Sequence, residues 1–131
     1  MCDLRAKLLQ SLDKGDFRSL FMEGGCHFYA LVLHDELALP LFYACDRECD
    51  ELSHVFVMRD KVCYDYDGPK MLTSVAEKYA GWPDEPPRKI AAERIREELK
   101  KRGVDDLEER ITKIARCEFT RRKCLYEQTP S

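Results

Sequence analysis

FMEGGCHFYALVLH, residues 21–34, decides how the rest of the chain is read. Gly24 and Gly25 signal a loop, and an apolar run opens behind them on Cys26. Periodicity alone would allow a strand here. Its length, and Leu and Ala in place of a β-branched run, favour a buried helix over residues 26–37, with Pro40 as its stop. A thiol at the first turn of such a helix lies in the positive field of the helix-start amides, which favours thiolate. The glycines ahead of it carry no side chain to block an approaching molecule. Cys26 is therefore either a small buried hydrophobe, the ordinary role of a free cysteine, or a nucleophile.

Working outward, residues 3–13 read as a helix with Leu4, Leu8, Leu9 and Leu12 on one face and Gly15 as the stop. Residues 16–22 read as a short turn and 41–45 as a strand. A polar loop follows over 46–53. Two strands, Ser53–Met58 and Lys61–Tyr66, are joined by a tight turn at Arg59-Asp60, and Gly68-Pro69 closes the sheet region. A helix is expected over 70–80, then a turn-rich connector over 81–87. Residues 88–102 read as a helix with a stripe of Ile90, Ile95 and Leu99, capped by Gly103. A last helix is expected over 105–117, with Asp105-Asp106 at its positive end. Arg121-Arg122-Lys123 is expected to be a frayed basic tail.

The expected fold class is α+β: a buried helix packed on a small antiparallel sheet, with helices added at the C-terminus. The composition shifts near residue 83. Residues 1–82 read as the α+β core, and 83–131 as a helical extension packed on the same domain.

Bulk properties narrow the function. The 131 residues are enough to bury one core without disulfides. With 44% hydrophobic and 36% charged residues and a net charge of −3, nothing calls for nucleic acid. No apolar run approaches the roughly 18 residues of a membrane span. The start of the chain has no signal-like apolar stretch, so the expected location is the cytoplasm. Seven cysteines, an odd number, argue for reduced thiols rather than a disulfide framework.

The hairpin supplies what a nucleophile needs. With Arg59-Asp60 as its loop, Met58 faces Lys61 and His54 faces Asp65. Directly opposed residues share a face, with Cβ atoms about 4.5–5.5 Å apart. A turn centred on Asp60-Lys61 would set His54 opposite Asp67 instead. The first register needs fewer assumptions and is preferred. A histidine oriented by an aspartate can take a proton from a thiol. The N–H groups at Gly25 and Cys26 are candidates to hold an oxyanion. His27 and Trp82 are candidates to line the site. His27 facing solvent is the simpler reading of that residue, and His34 reads as a core or boundary histidine.

Gly24-Gly25-Cys26-His27-Phe28, then His54-Val55-Phe56-Val57, then Tyr64-Asp65-Tyr66-Asp67-Gly68, resemble the papain-like cysteine hydrolase fold. In particular they look like the compact branch shared by NlpC-type peptidases and transglutaminase-like proteins. The three patches are also similar to small uncharacterised bacterial or phage proteins with a Gly-x-Cys-His motif. The resemblance covers roughly residues 20–82. It implies a Cys26-His54-Asp65 triad acting on an amide or thioester bond of a peptide or protein, with no organic cofactor and no metal. Two other readings stand beside it. One is a catalytically inactive papain-like module that only binds. The other is a small zinc-stabilised interaction protein using Cys45, Cys49, His54 and Cys63, residue types suited to zinc but irregularly spaced.

Overall fold

The computed structural model describes residues 4–45, 52–73 and 87–127. Helix α1 (Leu4–Lys14), α2 (Phe17–Met22) and α3 (Cys26–Leu37) precede strands β1 (Leu41–Cys45), β2 (Leu52–Arg59), β3 (Val62–Asp65) and β4 (Gly68–Met71). Strand β5 (Arg88–Ile90), α4 (Ala92–Lys101) and α5 (Glu108–Arg121) follow, with 3₁₀ turns at Asp105–Leu107 and Lys123–Glu127. The fold class is α+β. Every strand pair is antiparallel, and the sheet order is β4-β3-β2-β1-β5.

Helix α3 is the centre of the core. Its residues Cys26 to Leu33 are all buried, because α2, α5 and the sheet cover it from different sides. Each large apolar side chain so enclosed, such as Phe28 or Leu33, contributes about 1.5–3 kcal/mol. At its end Ala38 takes a left-handed conformation with φ 55°. His34 Nδ1–H donates to the Leu39 carbonyl at 2.6 Å, which identifies it as a boundary histidine that holds the helix end.

The start of α3 is set by contact with α2. Asp16 caps α2 by accepting from the Ser19 N–H. The Gly25 N–H donates to the Leu20 carbonyl at 2.7 Å. A Cβ on Gly25 would collide with that same carbonyl oxygen. Glycine stands there so that the two helices can approach backbone to backbone.

Several expected boundaries move. Residues 70 and 71 are strand, not helix, because β4 continues the meander and pairs with β3 from Asp65↔Gly68 to Val62↔Met71. Residues 46–51, and most of the segments expected as helix 70–80 and connector 81–87, lie outside the described residues. Residues 88–90 are also strand. They pair with the edge of β1 (Leu41↔Ile90, Phe42↔Lys89, Tyr43↔Arg88), and tertiary pairing overrides their helical pattern. Ile95 and Leu99 do face the core from α4. The described part of the segment after residue 83 packs on the same domain. It completes the sheet, and Ile111, Ala115, Phe119 and Tyr126 join the same core as Phe21 and Tyr29. The expected frayed tail is docked instead: Arg121 pairs with Glu118, and the Arg122 guanidinium lies 3.9 Å over the Tyr66 ring.

Two glycine substitutions separate packing from backbone strain. Gly25→Ala is expected to cost about 1–3 kcal/mol or more by overpacking against a carbonyl that cannot move aside. Gly15→Ala, at φ +66° with nothing near its Cβ position, is expected to cost about 1 kcal/mol, from the left-handed backbone alone. Urea denaturation of the two variants checks the order, and a Gly25→Ala midpoint at or above that of Gly15→Ala refutes it.

Candidate active site

The hairpin closes in the second of the two registers. Its loop is Asp60-Lys61, with Arg59↔Val62, Met58↔Cys63 and Val57↔Tyr64 paired. Aspartate tolerates the positive φ of 57° that this turn requires, and so the preferred loop at Arg59-Asp60 is corrected. Continued along the strands, the observed register would set His54 level with Asp67. The ladder stops at Tyr64, however, and His54 meets Asp65 diagonally. His54 Nε2–H donates to Asp65 Oδ2 at 3.1 Å, with both side chains buried. The pairing inferred from sequence is present, reached by a different geometry.

Local structure explains how His54 is aimed. Between Ala44↔His54 and Cys45↔Leu52 the register slips, leaving Ser53 as an extra residue on β2. Such bulges bend a strand and redirect the side chains beside them. The His54 ring stacks on Phe56 with centroids 5.5 Å apart. Asp65 is fixed in turn, since its Oδ1 accepts the Asp67 N–H at 2.9 Å. Lys70 stands 3.8 Å from its Oδ2. Asp67 is committed elsewhere, to Arg18 at 3.0 Å and Lys70 at 3.1 Å. Burial works against its charge, but Lys70 and Arg18 outweigh it and hold the carboxyl below its usual value.

Cys26 lies against two imidazoles. His27 Nδ1 is 3.5 Å from Sγ, and His54 interacts with the thiol as well. The His54 Nε2 is taken by Asp65. Burial alone would push the thiol up. The charges and hydrogen bonds of His27 and then His54 overcome this and hold it well below its ordinary value. Burial likewise opposes the His54 charge. The hydrogen bonds to Asp65 and Cys26 outweigh it and raise the ring to about 9. The arrangement favours thiolate beside imidazolium. Cys63 shows the contrast: burial, and then the Asp65 charge, raise it to about 12.

Two sequence expectations change at this site. His27 does not face solvent. It is 1% exposed, because the apolar run that buries α3 begins at its first residue. Its Nε2 has no hydrogen-bond partner among the described residues, and a buried group left so costs about 1–3 kcal/mol. Gly25 does not offer its amide to an oxyanion, since Leu20 occupies it. The Cys26 N–H, among the helix-start amides that a helix itself leaves unpaired, is the remaining candidate in that segment. Trp82 lies outside the described residues.

The thiol is enclosed, with Cys26 5% exposed. A groove of about 560 Å³ lined by His34, Leu41 and Ile90 opens at the other end of α3, about 12 Å along the helix axis at 1.5 Å per residue. Among the described residues no three His, Cys, Asp or Glu side chains are placed to hold a metal. Cys49 and the Cys45 side chain, two of the zinc candidates, lie outside the description. The described cysteines, Cys26, Cys63, Cys117 and Cys124, are free thiols. No described helix is long and apolar enough to cross a membrane.

The raised His54 value has a defined sign in stability. Its contribution is fully present below the unfolded value of about 6.5 and is lost as pH rises through about 9. The depressed Cys26 contributes in the opposite sense, lost as pH falls through its lowered value. In Asp65→Asn the His54 titration is expected to move down from about 9 toward 6.5, by one unit or more. Ring-proton NMR of the three histidines reads this directly, and an unmoved His54 refutes the assigned pairing. No family model, curated protein or solved structure matches this chain.

Proposed function

We propose that this protein is a cysteine hydrolase or acyltransferase acting on an amide or thioester bond, with Cys26, His54 and Asp65 as its triad. The observation that carries this reading is the buried His54–Asp65 contact of 3.1 Å beside a thiol held low by two imidazoles. Structural cysteines in apolar surroundings go the other way, as Cys63 does. The Gly24-Gly25-Cys26-His27 resemblance to papain-like enzymes supports the same reading, and Cys26 is a free thiol.

In the proposed reaction Cys26 sulfur attacks the carbonyl carbon, a C–S bond forms, and the carbonyl π pair moves onto oxygen. The Cys26 N–H is the donor offered to that oxyanion. The His54 imidazolium gives its Nδ1 proton to the leaving group as the C–N or C–S bond of the substrate breaks. Neutral His54 then accepts a proton from the water, amine or thiol that releases the acyl group. Asp65 keeps the ring oriented through Nε2. Substrates are peptide or protein amides, or thioesters, and neither nucleic acid nor a membrane is part of the reading.

A second reading is favoured by one observation, the enclosure of Cys26. A sealed thiol suits an inactive module that binds without chemistry, since fold does not dictate function. Alkylation of Cys26 across pH, read by peptide mass spectrometry, separates the two. The enzyme reading expects Cys26 to react at least about tenfold faster at pH 6 than exposed Cys117 and Cys124. His54→Ala is expected to remove most of that advantage. A folded protein whose Cys26 is inert, or no faster than the exposed thiols, leaves the binding module as the answer.

A further inference from the structure

The turn that carries Asp65 is held by the last described segment of the chain. Tyr126 OH lies 3.0 Å from the Asp65 carbonyl and 2.8 Å from Tyr29 OH. A carbonyl only accepts, so Tyr126 O–H donates to Asp65 and Tyr29 O–H donates to Tyr126. Tyr29 sits on α3 three residues after Cys26, nearly one turn along. One buried hydroxyl therefore joins the helix that carries the thiol to the strand end that carries the acid. Two neighbours reinforce it. Arg122 Nη1–H donates to the Tyr66 carbonyl at 2.5 Å. Leu125 lies where a Cβ on Gly68 would be, and Gly68 holds φ +100° beneath it.

We propose that Tyr126 is a positioning residue: its hydroxyl fixes the Asp65 backbone against α3 and so sets the spacing of acid, imidazole and thiol. This rests on the triad reading above and assigns the C-terminal turn a part in it. Burial pushes both hydroxyls up, Tyr29 to about 12, so they remain donors throughout the working range. The charged groups facing the acid are His54 from β2 and Lys70 from β4, and those facing the thiol are His27 and His54. None of them is altered by deleting the Tyr126 oxygen.

Tyr126→Phe removes that oxygen and keeps the ring, which stacks on Phe119 at 5.4 Å. Iodoacetamide alkylation of Cys26 across pH is the readout, with cooperative urea unfolding as the check on fold. The acid limb of the wild-type profile is expected to move up by about one unit, a roughly tenfold loss of rate on that limb. Arg122→Gln, at a residue reached from the surface, is expected to move it in the same direction by less, and it carries the test alone if Tyr126→Phe does not fold. A lowered urea midpoint with an unmoved limb in the variants that fold overturns the positioning role and leaves the triad standing. A wild-type Cys26 that titrates as an ordinary thiol overturns both.

Discussion

One backbone contact fixes the frame on which the site depends. The Leu20 carbonyl receives the Gly25 amide at 2.7 Å, and no side chain fits between them. That contact decides where α2 ends and where α3 begins, and hence which residue occupies the first helical position. Were α3 to begin one residue later, Cys26 would leave the helix start and every residue behind it would turn by about 100°.

The site concentrates four ionisable groups, Cys26, His27, His54 and Asp65, in nearly dry surroundings. Isolated burial of any one of these as an ion would be costly. Here each has an opposite partner within hydrogen-bonding distance or close to it. Among the described residues, the far nitrogen of His27 faces no partner. Elsewhere the fold satisfies its buried charges: Glu98 lies between Arg94 and Arg102, and Glu118 takes both the Tyr66 hydroxyl and Arg121.

The parts legible in the sequence are those governed by local rules. Helix α3 was bounded by its glycines and by Pro40, and strands β1 and β2 by their apolar patterns. His54 and Asp65 could be matched because a hairpin has only two plausible registers, both bringing an aspartate near the histidine. Which register was chosen depended on Asp60 accepting a positive φ, which the pattern does not encode. Strand β5 was hidden because Arg88-Lys89-Ile90 looks helical until an edge of β1 is available. Tyr126 could not have been found at all, since it reaches Tyr29 across 97 positions.

The burial of α3 also has a consequence for synthesis. Its apolar run is made early, whereas α5, one of the elements that covers it, is made some eighty residues later. The link from Arg5 to Asp106 spans 101 positions. Until residues 108–126 have been made, the nascent chain holds a sticky helix without its cover. Folding of this domain is therefore a late event governed by long-range closure, and chains arrested before that point are the ones expected to aggregate or to need chaperones.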